Sequence, residues 1–266
     1  MTIKVSVVTP TFRAWNMLER QAQWLAKVDF PQDQFDWVIV DDLYEQRREW
    51  VASFKTAFPI HHMAPRFLNT QFDAVGAINT GFLHARGELL YLLVAYVEPS
   101  SSAIRRHWEL YQEYGPKVVV MGPLYDALPN GEVRRYGERV WNRQLNPYLG
   151  EVTSDSYITR FAWFGVNDSV PLKCVLDVNG MDERMSGMRG GGDAELGIRL
   201  QRYGCRFLLD DLAPAFRHPK TATKPGIYPN PIWSDMVHVA QTGKTTWAPN
   251  SWSILEERKR LGRGTP

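Results

Sequence analysis

The chain has 266 residues and a formal charge of +2, from 31 Lys and Arg against 29 Asp and Glu. With 44% hydrophobic and 23% charged residues it has an ordinary globular composition, which excludes global disorder. A compact fold of this length buries about 73% of the extended chain's surface, enough for a large core without disulfide or metal staples.

Taken in chain order, residues 4–9 form a β-rich run stopped by Pro10, and Leu18, Ala22, Leu25 and Val28 then recur at helical spacing. Trp37 to Val40 is an apolar strand ending in Asp41-Asp42, and Trp50, Phe54 and Ala57 mark a second helix face. A weak strand at Ile60–Met63 and a helix carrying Ile78, Phe82 and Ala85 lead to a strand over Leu89–Ala95. Ser100 to Ser102 caps a helix showing Ile104, Trp108 and Tyr111, followed by the strand Lys117 to Met121. Strands alternating with helices predict a mostly parallel sheet covered on both faces, with ligands at the strands' carboxyl ends. Those ends carry Thr9 to Phe12, Asp41-Asp42 and Val94 to Tyr96.

The second half is less regular. Gly190 to Gly192 precede Asp193 and a helix over Ala194–Tyr203 closed by Gly204, so Asp193 is either a helix cap or an acid or base meeting substrate. From Pro219 onward seven Lys and Arg stand against three Asp and Glu, with six prolines and Trp233, Trp247 and Trp252. This stretch, 219–266, reads as an irregular arm ending in a short helix, Ser251 to Leu261, separate from a domain over 1–218. His61-His62 reads as a strand pair and not a metal site, because adjacent strand side chains point to opposite faces. The longest apolar run, Leu89 to Val97, is too short to cross a membrane, and the N-terminus lacks a signal-peptide layout. Cys174 and Cys205 give neither a disulfide framework nor metal spacing, so a reducing, cytoplasmic setting is expected. The dinucleotide fingerprint GxGxxG and the phosphate loop GxxxxGK[ST] are absent.

Four stretches in order, VSVVTPTFR (5–13), VIVDDLYE (38–45), AINTGFLHARGELLYLL (77–93) and the block 164–207, resemble the inverting family-two glycosyltransferases with the GT-A fold. The resemblance implies a Rossmann-like domain with a nucleotide-sugar half over about 1–122 and an acceptor half over about 123–218. It implies that Pro10, Thr11, Phe12 and Arg13, with Asp41 and Asp42, hold the base and ribose of a nucleoside-diphosphate sugar, UDP-linked. It implies Asp193 as the general base that deprotonates an acceptor hydroxyl, with inversion at the sugar. It also implies His218, with Glu98 as a substitute acid, as ligands of Mn²⁺ or Mg²⁺. Two departures stand out. The positions of the family's Asp-x-Asp motif read Val94-Ala95-Tyr96, and the acid expected before Asp193 is Gly192. Ala95 thus occupies the place of a metal-binding acid, which leaves three readings: a metal-independent enzyme, an inactivated binder, or a replaced acid. The acceptor is open between a glycan or small molecule and hydroxymethylated bases of phage-type DNA. The second rests on the basic arm and its tryptophans. A non-catalytic nucleotide-sugar or glycan binder is the remaining alternative.

Overall fold

The structure is a computed structural model that describes residues 2–12, 17–67, 73–135, 149–153, 156–159, 166–186, 192–218 and 246–264. The strands are β1 (Val5–Thr11), β2 (Phe35–Asp41), β3 (Ile60–Met63), β4 (Leu89–Leu92), β5 (Val97–Pro99), β6 (Val118–Met121), β7 (Leu124–Ala127), β8 (Val133–Arg135), β9 (Leu149–Thr153), β10 (Ser156–Thr159), β11 (Asp168–Pro171), β12 (Arg206–Asp210) and β13 (Ala215–Arg217). The helices are α1 (Met17–Leu25), α2 (Tyr44–Ala52), α3 (Ala74–His84), α4 (Ala103–Tyr114), α5 (Leu172–Asp177), α6 (Gly192–Tyr203) and α7 (Ile254–Arg260), with a 3-10 turn at Glu183–Met185.

A nine-stranded sheet in the order β3-β2-β1-β4-β11-β6-β12-β10-β9 forms the centre, beside a four-stranded sheet ordered β5-β13-β7-β8. The first four strands are parallel, as alternating strands and helices require, and β12 joins β6 in parallel. The expectation of a mostly parallel sheet holds for that half. The strand β11 is antiparallel to both β4 and β6, and β10 is antiparallel to β12 and β9, so the sheet is mixed. Among the described elements β11 is preceded by the strand β10, and it runs against both of its neighbours in the sheet.

Side chains alternate strictly between two apolar layers. Val8, Val38, Val40, Leu90, Leu92 and Val170 face α3, α5, α6 and α7. Val5, Val7, Trp37, Ile39, Tyr91 and Leu93 face α1, α2 and the start of α4. Pro10 does not stop β1, which runs to Thr11 paired with Asp41. The β4 ladder ends at Val8–Leu92, so Pro10 needs partners on one side only. The second predicted helix ends at Ala52; Phe54 lies beyond it and packs edge-on against Trp50. No described helix is long and apolar enough to cross a membrane.

The last segment, 246–264, packs onto the domain. Ile254 is fully buried in the layer under α3 and α5, and Arg258 is buried with its guanidinium donating to the carbonyls of Phe82, Leu83 and Ala85 at the end of α3. It thereby satisfies carbonyls that the helix itself leaves open. The loss of solvation lowers the Arg258 pKa to about 10.

Candidate functional site

Because β1, β2 and β3 are parallel, their carboxyl ends lie at one edge, where open α/β sheets bind ligands. At that edge β1 ends in Pro10, half-buried, and Thr11, buried, with the half-buried Phe12 following. The Thr11 hydroxyl is enclosed and makes no hydrogen bond among the described residues. Arg13 lies outside the described residues.

The acidic pair at the end of β2 divides. Asp41 is fully buried; its carboxylate accepts from the Leu43 N–H at 3.0 Å and from Arg47 Nη1 at 3.4 Å, and lies 3.2 Å from His62 Nε2. The Arg47 guanidinium is itself buried, and desolvation lowers its pKa against the opposing pull of Asp41 and Asp42. Asp42 is the member of the pair that reaches the surface. His62 and His61 behave as an alternating strand pair, His62 beside Asp41 and His61 3.3 Å from the buried Asp36.

Ala95, expected at the nucleotide edge, is enclosed. It is 2% exposed and sits in the apolar layer with Val97, Ala103 and Ile104. A tight turn that closes with the Val97 N–H on the Val94 carbonyl at 3.0 Å puts it there, and the buried Gln21 on α1 donates to the same carbonyl at 3.1 Å. Val94 and Tyr96 on either side are half-buried.

Glu98 and His218 are brought together by the small sheet. The strand β13 pairs antiparallel with β5, and the His218 N–H continues the ladder to the Tyr96 carbonyl at 2.9 Å. His218 Nε2 lies 2.7 Å from Glu98 Oε2, and the imidazole stacks on Trp24 of α1 at 4.7 Å between centroids and 21° between planes. Together they offer one imidazole nitrogen and one carboxylate, a protein share that would suit Mg²⁺ only with substrate phosphates and waters completing its shell; among the described residues no group of three or more His, Cys, Asp or Glu is placed to hold an ion without them.

Asp193 is the second residue of α6 and is half-buried. The start of α6 abuts the start of α3: a Cβ on Gly192 would lie 3.0 Å from Val75 Cγ2 and 3.2 Å from Met181 Cε. The helix α3 leads from β3 back to the start of β4, so its first turn, capped by Asp73 accepting from the Gly76 N–H at 2.8 Å, stands at the carboxyl edge. Asp193 and the β1–β2 loops therefore share that edge.

The motif glycines have steric reasons. A Cβ on Gly81 would lie 2.3 Å from Val8 Cγ1, and one on Gly87 would lie 2.5 Å from the Ser6 backbone nitrogen. Asn79, two residues before Gly81, holds Met181 from both sides, donating to its carbonyl at 3.0 Å and accepting from its N–H at 2.8 Å. Of the three arm tryptophans, Trp233 lies outside the described residues. Trp247 is 41% exposed. Trp252 is half-buried, donates from Nε1 to Glu183 at 2.9 Å, and carries the Arg66 guanidinium over its ring at 4.4 Å. Its ring is thus engaged by the fold and is not an open stacking face. The Trp24–His218 stack had no signal in the sequence, since helix and strand approach only in the folded chain.

A Glycosyl transferase family 2 model matches residues 6–165. Validoxylamine A glucosyltransferase of Streptomyces hygroscopicus subsp. jinggangensis (strain 5008) is 27% identical over 223 residues, covering 75% of this chain and 52% of the relative. The chain thus spans about half the length of the curated relatives it matches. Among solved structures, S. aureus TarS 1-349 in complex with UDP-GlcNAc superposes with a TM-score of 0.70 at 14% identity, covering 90% of this chain and 65% of that one. GalNAc-T7 with UDP, GalNAc and Mn²⁺ gives 0.65 at 14% identity, covering 90% and 48%. At these identities the likeness establishes the fold, which is GT-A. The family model covers more than half of the sequence, including the β1 loop, the acidic pair and the Asn79–Gly81 helix, and the chain belongs to glycosyl transferase family 2.

Proposed function

We propose that this chain transfers a sugar from a nucleoside-diphosphate sugar, UDP-linked, to an acceptor hydroxyl with inversion of the anomeric carbon. The observation that carries the reading is the carboxyl edge itself. The enclosed Thr11 hydroxyl, Phe12 and Asp42 stand on the β1–β2 side, and Asp193 stands on a helix start at the same edge. A carboxylate and a hydroxyl accept from or donate to a base and ribose, and an aromatic ring offers a flat face. UDP in the named complexes of TarS and GalNAc-T7 supports the choice of base, and the name of the validoxylamine A glucosyltransferase relative supports a small-molecule acceptor.

In this reading the acceptor oxygen attacks the anomeric carbon from the face opposite the diphosphate. Its proton passes to the Asp193 carboxylate. The bond between that carbon and the diphosphate oxygen breaks, and its electron pair leaves with the nucleoside diphosphate. Attack from the opposite face inverts the centre.

The test is a calorimetric and thermal-shift panel of UDP, GDP and their sugar conjugates, each with and without Mn²⁺, on the chain and on Asp42→Ala. Micromolar, uridine-selective binding that Asp42→Ala weakens is expected. Absence of binding by any nucleotide-sugar overturns the proposal.

A further inference from the structure

Asp193 must meet its acceptor within hydrogen-bond reach, yet it sits at the fraying end of a helix that follows a glycine-rich stretch. Besides the core packing of Leu196 and Leu200, α6 is touched at two points by the turn over residues 178–183. At the start of α6, the Met181 methyl lies against Gly192, the residue before the base. Further along, Arg199 is 3% exposed, and its Nη1 and Nη2 donate to the carbonyls of Val178 at 2.8 Å and Gly180 at 2.7 Å. The same guanidinium is bound in a fork by Glu195 at 2.5 and 2.7 Å, so the planar group is fully engaged.

This turn is in turn closed from outside by residues 246–254. The Ala248 N–H donates to the Val178 carbonyl at 2.9 Å. Asn179, in the left-handed region at φ 58°, donates to the carbonyls of Ala248 and Trp252 and accepts from the Ile254 N–H. Asn250 donates to the carbonyls of Asn179 and Met181 and accepts from the Glu183 N–H, all at 2.9 Å. Trp252 Nε1 takes one oxygen of Glu183 while Asn79 takes the other. Thr246 also accepts from Arg199 directly at 3.4 Å.

We propose that residues 246–254 are a positioning element for catalysis: by closing on the 178–183 turn they fix the helix that carries Asp193 at both of its contact points. Trp252 and Asn250 are then positioning residues that act through Glu183, Met181 and Gly192. The segment contributes to the turnover step, because the hydrogen bonds above run to the 178–183 turn and to Arg199 of α6. The inference rests on Asp193 being the general base.

Trp252→Phe keeps the ring and deletes the indole N–H, and Glu183→Gln keeps the shape and deletes one acceptor; both are conservative. In the full chain, assayed well below the melting transition with folding verified by circular dichroism, each is expected to lower kcat at least tenfold. The donor Kd stays within about twofold. Peptides covering 192–203 exchange backbone hydrogen faster, while those covering β1 do not. A purely structural role would lower the melting temperature and leave kcat in the cold unchanged. Unchanged kcat and unchanged exchange over 192–203 in both variants overturn the proposal. If the parent itself transfers no sugar, or Asp193→Asn is as fast as the parent, the reading of Asp193 has failed instead. The exchange measurement then still decides whether the segment fixes the helix.

Discussion

Asp41 and Asp42 are adjacent carboxylates with opposite surroundings, and their substitutions should separate cleanly. Replacing Asp41 by Asn removes the carboxylate that is hydrogen-bonded to the buried Arg47 and leaves the smaller pull of Asp42, and breaking such a buried pair costs about 3–5 kcal/mol. Urea unfolding should therefore report a large loss of stability. Asp42→Ala should leave the urea midpoint nearly unchanged and weaken donor binding roughly 10–100-fold, the worth of about 1.5–3 kcal/mol for a hydrogen bond to a charged group. Ala95 gives a third residue-scale prediction. Its methyl is enclosed in the apolar layer, so Ala95→Asp buries a carboxylate at roughly 2–5 kcal/mol. A lower melting temperature with no gain in Mn²⁺ affinity by calorimetry is expected. A new metal site without loss of stability would show that position 95 faces the donor.

At the scale of elements, α4 is tied to the sheet by one buried histidine. His107 lies 2.8 Å from the Ser169 hydroxyl of β11 and packs edge-on against Tyr91 of β4. Burial, with a smaller contribution from Arg106, pushes its pKa down to about 3. The unfolded chain, with an ordinary value near 6.5, binds the proton first. Stability from this group is thus complete above about pH 6.5 and is lost as the pH falls toward 3, at roughly a few kcal/mol by the end. His84, lowered to about 4 chiefly by burial and next by Arg263, acts in the same direction. Unfolding midpoints measured from pH 7 to 4 should fall, and His107→Gln should flatten the slope. A slope that the substitution leaves unaltered would place the acid sensitivity elsewhere. Elements were also the best-read layer of the sequence. Continuous apolar runs found β1, β2 and β4, which are buried on both faces, and helical spacing found α1 and α4, each of which buries one face. That spacing overran the second helix into Phe54, since an aromatic folded back on Trp50 keeps helical spacing without being helical.

Across the whole molecule, what the sequence revealed was local and what it concealed was long-range. Asn79, Gly81 and Gly87 were legible through the motifs they share with the family, and each has a local cause: the Asn79 amide holds Met181, Gly81 makes room for the Val8 side chain, and Gly87 for the backbone of Ser6. The inward turn of Asp41, the burial of Ala95 and the Trp24–His218–Glu98 cluster were not, because each depends on strands or helices distant in sequence. The arm's tryptophans were readable as pins to the domain, but which residues they hold was not: Asn250 and Trp252 return to residues 179–183, 69 to 71 positions back in sequence. The central claim, that this edge transfers sugar with Asp193 as base, is tested most directly by acceptor-dependent UDP release from a UDP-sugar panel, comparing the chain with Asp193→Asn. The account predicts release by the parent and a fall of about 10²–10⁴-fold in the variant with donor binding intact. Release by Asp193→Asn within a few-fold of the parent would contradict it.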